Sequence, residues 1–116
     1  MKVKLKYLFI FIVFCLFFSC GNEKKKQAPT VLLSETEMVD VLTDVQLMES
    51  AIAYKKNINQ PTEYFKTVGY DTVFSHNGIT DSIFKANMIY YYDVEPLTLI
   101  RVYDSVEARL GRMKNQ

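Results

Sequence analysis

Three carboxylates recur at helical spacing near the start of the first long amphipathic segment. Glu37, Asp40 and Asp44 stand three and four positions apart, so they share the outer face of a predicted helix. Carboxylate oxygens arranged in this way can bind calcium or a cationic partner. A solvated acidic face beside the positive end of a helix explains the same pattern, and we favour that interpretation.

The only histidine of the chain, His76, stands next to a predicted helix end. It has no cysteine or second histidine at ligand spacing, so we expect it to interact with the helix dipole rather than with a metal. No segment resembles a nucleophile elbow, a Gly-rich phosphate loop or a metal cluster. We therefore predict a protein that is not an enzyme, with no catalytic residue, no metal site and no cofactor.

Glu49 is the more informative carboxylate. At about 100° per residue it falls between Val45 and Ile52, inside an apolar stripe. Because an isolated buried carboxylate is costly, we expect a hydrogen-bond donor such as Arg101 or a tyrosine hydroxyl, or a partner that covers the surface there. A hydrolase that pairs Glu49 with Asp44 is disfavoured, because the two side chains point to different faces of their helix.

Three consecutive tyrosines, Tyr90 to Tyr92, cannot all enter one core from a helix. Tyr91 shares a face with Phe84 and Met88, which leaves Tyr90 or Tyr92 partly exposed. Exposed tyrosines are favoured at binding surfaces, but rings that close small gaps in a helical bundle explain the pattern too, and we favour that interpretation. The candidate partner-binding residues are Asp44, Glu49, Tyr90, Tyr92 and Arg101.

The N-terminus has the pattern of a cleaved signal peptide. Lys2, Lys4 and Lys6 precede an apolar run from Tyr7 to Phe18. Twelve helical residues reach about 18 Å, which is short of the roughly 30 Å hydrocarbon core of a bilayer. We assign residues 1–19 to the signal peptide.

The residues around Cys20 resemble a lipobox, the sequence at which a bacterial lipoprotein is lipidated and cleaved. Ser19 precedes the cysteine and Gly21 follows it, whereas Phe17 replaces the commoner leucine. We predict that the Cys20 thiol carries diacylglycerol, and that acyl chains such as palmitate anchor the mature protein. An ordinary secretory signal or an uncleaved anchor is the alternative.

Residues 20–33 then form the lipidated cysteine and a flexible tether, and residues 34–116 form the helical domain. Gly21 is not the aspartate that retains lipoproteins at the inner membrane. By resemblance to the sorting of well-studied Gram-negative lipoproteins, we therefore expect the protein at the periplasmic face of the outer membrane.

The charge of the folded part excludes one class of partner. With eight basic and twelve acidic residues, the chain from Gln27 onward carries a net charge of −4, although the full sequence is formally +1. A nucleic-acid binder shows the opposite balance, so we exclude nucleic acid. Because Cys15 leaves with the signal, the folded part contains no cysteine, and packing alone must hold it together.

Helix signals divide this part into four segments. Ser34 and Glu37 form a capping box, which predicts a helix that continues to about Lys56. The apolar side chains at three- and four-residue steps in this first helix are Met38, Val41, Leu42, Val45, Met48 and Ile52.

Three further helices follow. The second begins after Pro61 and ends at Asn77-Gly78, and Gly69 weakens it locally; Thr80 caps the third, and Pro96 starts the fourth. Their predicted core-facing residues are Tyr64, Phe65, Val68 and Val73 in the second helix, Ile83, Phe84, Met88 and Tyr91 in the third, and Leu99, Ile100, Tyr103, Val106, Leu110 and Met113 in the fourth. The predicted fold is all-α, a small bundle of about four helices behind a signal peptide and tether.

Four short motifs carry a resemblance to a known family. They are Met38–Ala51, His76–Thr80 leading to Phe84, Tyr90–Tyr92 and Ile100–Asp104. From Ser34 to Leu110 the chain resembles the small Bacteroidota lipoproteins known as domain of unknown function 4296. The resemblance implies an envelope lipoprotein and transfers no activity or catalytic residue.

Two functions remain open from the sequence. The leading hypothesis is a non-enzymatic interaction module that is anchored in the membrane by its lipid and binds another envelope protein. The alternative is a periplasmic carrier or sensor of a small apolar or lipid ligand held between the helices.

Overall fold

A computed structural model describes residues 2–17 and 27–116, and Cys20 lies outside them. The described residues form five helices and no strand: α1 Lys2–Phe17, α2 Glu35–Asn57, α3 Glu63–His76, α4 Asp81–Val94 and α5 Pro96–Lys114. The all-α prediction is confirmed. Helices α2 to α5 correspond to the four segments expected after the tether.

Helix α1 covers the basic and apolar N-terminal run. Its described side chains from Leu5 to Phe14 are exposed, and it packs against none of the other described helices. No helix among the described residues combines the length and the apolar character that a membrane crossing requires.

The helix ends follow the local sequence signals. The Glu37 backbone N–H donates to Ser34 Oγ at 3.1 Å, and the Ser34 backbone N–H donates to Glu37 Oε2 at 2.7 Å, so the capping box is confirmed. Thr80 Oγ1 accepts from the Ile83 backbone N–H at 3.2 Å and caps α4. Gly78 adopts φ +68° after α3, and Pro96 occupies the first turn of α5.

The core gathers around the N-terminal half of α2, which packs against α3 and α5. Its buried apolar residues are Leu33, Met38, Val39, Val41, Leu42, Val45, Val73, Phe74, Tyr91, Leu99, Val102 and Val106. In the fully described stretch from residue 49 to residue 72, no residue is buried. The hairpin of α2 and α3 therefore projects beyond the core.

The predicted buried face of α3 is wrong in its first half. Tyr64, Phe65 and Val68 are exposed, while Val73 is buried as expected. Gly69 turns toward α2, where an added Cβ would lie 2.6 Å from Met48 Sδ. The two helices approach closely at this glycine, and the large apolar side chains in the first half of α3 remain exposed.

The predicted buried face of α5 is also partly wrong. Ile100, Tyr103 and Met113 are exposed, and Val102, which the prediction omitted, is fully buried. Together, Leu99, Val102 and Val106 form the buried stripe. Apolar side chains cover more than one face of this helix, so spacing alone did not identify the face that α2 covers.

Candidate functional site

A polar groove of about 550 Å³ opens at the core end of the domain. It lies between α2, the loop that follows α3, α5, and the chain segment that precedes α2. Its charged and polar side chains are Glu37, Asp40, Asp44, His76, Asn77 and Arg109. We call this feature the core-end groove.

Helix α2 supplies the three carboxylates of the groove, and two of them bind side chains from other parts of the chain. Asp40 Oδ1 accepts from Arg109 Nη1 at 2.6 Å, which joins α2 to α5. Asp44 Oδ2 accepts from Asn77 Nδ2 at 2.9 Å, which joins α2 to the end of α3. The predicted acidic face therefore exists, but it is a wall of a groove rather than a freely solvated surface.

The loop after α3 is held in place by hydrogen bonds at both ends. Asn77 Nδ2 also donates to the Val73 carbonyl at 2.8 Å, and the Ile79 backbone N–H donates to the Phe74 carbonyl at 2.9 Å. His76 lies in the last turn of α3, as expected, with its side chain exposed at the groove. The backbone of the loop is therefore ordered around the groove.

The three carboxylates outnumber the one guanidinium among the groove side chains, which gives these four groups a formal charge of −2. Such a surface attracts amines, guanidinium groups and other hydrogen-bond donors. Among residues 2–17 and 27–116, no group of three or more His, Cys, Asp and Glu side chains is arranged to hold a metal ion.

The structure places Glu49 on the surface, so the expectation that it lies inside the apolar stripe is wrong. The expectation of a tyrosine donor is confirmed, because Tyr70 Oη donates to Glu49 Oε1 at 2.8 Å. This hydrogen bond, with smaller effects from burial and the Glu49 charge, raises the pKa of Tyr70 above its usual value. Glu49 thus links α2 to α3 and lies outside the core-end groove.

Arg101 does not meet Glu49. Its guanidinium donates to the Glu35 carboxylate at 3.2 Å and 3.3 Å and to Thr98 Oγ1 at 3.1 Å. The hydrogen bonds to Glu35 and its negative charge raise the pKa of Arg101 above its ordinary value. Arg101 therefore fastens the start of α5 to the first turn of α2.

The three tyrosines of α4 separate as expected for consecutive helical residues. Tyr91 is buried and its hydroxyl donates to the Leu33 carbonyl, while burial raises the pKa of its phenol. Tyr90 is partly buried with its ring edge-on to Tyr91, and Tyr92 is exposed. The five candidate binding residues therefore do not form one surface, and only Asp44 lines the groove.

Asn87 holds one wall of the core-end groove, and the sequence analysis missed it. It is fully buried on α4, where its Oδ1 accepts from the Leu33 backbone N–H at 2.8 Å. Its Nδ2 donates to the Val31 carbonyl at 2.8 Å and to the Ile83 carbonyl at 2.9 Å. Since Val31 and Leu33 line the groove, Asn87 positions one of its walls. A lone amide between Phe84 and Tyr91 was the available signal.

Arg109 and Asn77 were also missed. Asn77 was interpreted only as part of a helix stop, and Arg109 stands beside the core residue Leu110 without a local partner in the sequence. Both bind carboxylates more than thirty residues away, so neither pairing has a local signature.

Comparisons with known proteins give a family but no characterised relative. No curated protein and no solved structure matches the chain. The family described as "Domain of unknown function (DUF4296)" matches residues 29–116, which include all of α2 to α5. The chain therefore belongs to this family, as the motifs of its helices suggested.

Proposed function

We propose that the mature chain is a lipid-anchored module of the cell envelope that binds another envelope protein and has no enzymatic activity of its own. The anchor is the lipidated thiol of Cys20, and its proposed location is the periplasmic face of the outer membrane. Support for the anchor comes from the basic and apolar N-terminal run and from Ser19-Cys20-Gly21. The exposed apolar side chains of α1 fit a segment that is removed rather than packed.

The observation that carries the binding role is the core-end groove. It gathers charged groups from α2 and α5 together with the loop after α3, and its walls are fixed by hydrogen bonds of 2.6 to 2.9 Å. A preformed polar groove binds a ligand without first having to order its own side chains. Its net negative charge favours a partner segment that presents a lysine or an arginine.

A carrier of apolar ligands is the weaker candidate. Pockets for such ligands are lined predominantly by apolar side chains, whereas charged and polar groups dominate the walls of the core-end groove. The carboxylates of the groove also bind an asparagine and an arginine, an arrangement that suits recognition better than proton transfer.

Metabolic labelling with a clickable fatty acid tests the anchor. The wild-type protein should become labelled and remain with the membranes, whereas Cys20→Ser should lose both the label and the membrane association. An unlabelled wild-type protein, or a Cys20→Ser protein with unchanged processing and fractionation, would contradict the anchor.

Site-specific photo-crosslinking in whole cells tests the groove. A photo-reactive phenylalanine derivative at His76 should capture a discrete envelope protein. Asp44→Asn removes the charge while keeping an oxygen that can accept from Asn77, and it should reduce capture several-fold.

Asp71→Asn is the matched control, because Asp71 is an exposed carboxylate of α3 outside the groove. Capture should persist in this variant. Equal capture by both variants, or no adduct at all, would count against the groove as the binding site.

A further inference from the structure

The outer end of the α2–α3 hairpin combines exposed apolar side chains with lysines. We define the hairpin tip as residues 54–68, which include the end of α2 and the start of α3. Its apolar side chains Tyr54, Ile58, Tyr64, Phe65 and Val68 are all exposed. An exposed cluster of this kind marks a contact surface more often than isolated apolar residues do.

The charge of the tip is opposite to that of the domain. Lys55, Lys56 and Lys66 are three of the five lysines from Gln27 onward, and Glu63 is the only acid among residues 54–68. The tip therefore carries +2, although the folded part as a whole carries −4. Residues outside the tip are net acidic, so a negatively charged surface would attract the domain through its tip and repel the rest.

The aromatic and basic groups of the tip contact one another. Lys55 Nζ lies 4.0 Å from the centre of the Phe65 ring, and the Tyr64 ring meets Phe65 edge-on at a centroid distance of 5.7 Å. Lysine ammonium groups beside aromatic rings suit the boundary between lipid headgroups and acyl chains. There the rings leave water while the ammonium groups meet anionic headgroups.

The proposed anchor has enough chain to let the tip reach a bilayer. Val31, which Asn87 holds, is eleven positions after Cys20, and eleven steps of extended chain reach at most about 36 to 40 Å. Along α2, Lys56 is sixteen positions after Asp40, which corresponds to a rise of about 24 Å. The tether can therefore run the length of the hairpin while the tip touches the membrane.

We propose that the hairpin tip docks onto the anionic lipid surface in which the protein is anchored, with the rings of Tyr54, Tyr64 and Phe65 at the headgroup level. This inference rests on the proposed function, because the lipid at Cys20 keeps the tip near a bilayer. Docking points the core-end groove away from the membrane, about one hairpin length above it, where a partner can reach it.

Because the chain contains no tryptophan, single substitutions provide clean fluorescent probes. Tyr64→Trp reports on the tip. Tyr92→Trp is the matched control, because Tyr92 is 73% exposed and Tyr64 is 72% exposed. Its neighbour Tyr91 binds Leu33, just before α2 begins, so Tyr92 lies toward the other end of that helix.

Each variant is purified with its lipid and reconstituted into vesicles of phosphatidylcholine, with or without phosphatidylglycerol. The Tyr64→Trp emission should shift to the blue in the anionic vesicles and be quenched by brominated lipid, while the Tyr92→Trp emission should do neither. Equal behaviour of the two variants, or no shift at Tyr64→Trp in anionic vesicles, would overturn the proposal.

The lysines provide a second test. Lys56→Gln with Lys66→Gln, in the Tyr64→Trp background, should lower the ratio of docked to undocked tip about thirtyfold. The matched pair Lys85→Gln with Lys114→Gln lies outside the tip and should leave that ratio unchanged. If the Tyr64→Trp emission shifts to the blue only when an acidic protein is added, and never with anionic lipid, the proposal is also overturned.

Flotation separates the two ideas. A protein that floats with the vesicles while its tip stays in water refutes docking and leaves the anchor standing. A protein that does not float refutes the anchor, and the emission of the Tyr64→Trp variant with added anionic vesicles still decides whether the tip binds them.

Discussion

The two ends of α2 differ in the properties that decide what a surface contacts. Near the start of the helix the side chains of Met38 and Val41 are fully buried by other parts of the chain, and the nearby carboxylates line a polar groove. Beyond Glu49 no described residue of the helix is buried, and lysines and aromatic rings replace the carboxylates. One continuous helix therefore carries a packed acidic end and a solvated basic end.

The reason for the difference is the number of helices that cover each end. The core end of α2 meets both α3 and α5, whereas the outer end has only α3 beside it. Two helices alone bury one stripe each, and contacts such as Tyr70 with Glu49 and Gly69 with Met48 hold them together. Stability is thus concentrated at one end, and apolar surface is left available at the other.

A pair of alanine substitutions gives the largest expected contrast between the two ends. Met38 is fully buried, so Met38→Ala should lower the free energy of unfolding by about 2 to 5 kcal/mol. Tyr64 is the comparison residue at the hairpin tip. Because it is exposed, Tyr64→Ala should change the free energy of unfolding by less than about 0.5 kcal/mol. Urea unfolding followed by circular dichroism measures both. Similar losses would mean that the tip belongs to the folding core.

Removing the Asn87 amide is the next largest expected effect. Asn87→Ala leaves the Leu33 N–H and the Val31 carbonyl without their partner, and the free energy of unfolding should fall by about 2 to 3 kcal/mol. Faster amide hydrogen exchange at Leu33 should accompany the loss. Asn115→Ala, at the exposed C-terminus, is the control and should change neither value. Unchanged exchange at Leu33 would show that another group holds this segment.

The buried phenol of Tyr91 makes the core end sensitive to high pH. Burial raises its pKa above 10.0, so the folded state holds the proton more tightly than the unfolded state. The stability that the protonated phenol contributes to the folded state is complete below pH 10.0 and is lost as the pH rises through the folded-state pKa.

Tyr91→Phe should therefore cost about 1 kcal/mol at neutral pH and reduce the loss of stability on the alkaline side. Urea unfolding at a series of pH values measures both effects. An alkaline loss as steep as that of the wild type would show that other groups cause it. Tyr92→Phe should leave neutral stability unchanged, because Tyr92 is exposed.

The smallest effect is expected for the ion pair in the groove. Asp40 and Arg109 are both partly exposed, so a double-mutant cycle with alanine should give a coupling of about 0.2 to 1 kcal/mol that weakens in high salt. A larger coupling that salt does not change would mean that the pair is needed for folding. A small coupling leaves these charges free to serve binding.

Local signals in the sequence predicted the helices well. The capping box at Ser34, the cap at Thr80, the glycine after α3 and the proline at the start of α5 each act within a few residues. Such signals depend on backbone groups that the neighbouring side chains satisfy, so they need no knowledge of the tertiary structure.

The helix faces were harder to predict because apolar residues surround much of α3 and α5. Tyr64 and Ile100 satisfy the helical spacing as well as Phe74 and Val102 do, yet only the latter pair is buried. Which stripe enters the core depends on how each helix packs against α2, and α3 approaches α2 closely at Gly69. Spacing in one helix contains no information about that approach.

The candidate site was predicted only in part for the same reason. Asp44, a candidate binding residue from the sequence, lines the groove, but its partner Asn77 and the neighbouring Arg109 are distant in sequence. Glu49 was expected to accept from Arg101 or a tyrosine hydroxyl; Tyr70 is the donor, and Arg101 binds Glu35 instead. Pairings between helices are decided by how the helices pack, whereas residue type indicates only that a partner is needed.

The hydrogen bonds that Asn87 and Tyr91 make to residues 31 and 33 have a mechanical consequence. Tension that arrives from the N-terminal side meets α4 before it meets the first turn of α2. These hydrogen bonds carry the load before it reaches the capping box. A pull from the N-terminal side is consequently passed to α4 and the core before it can unwind α2.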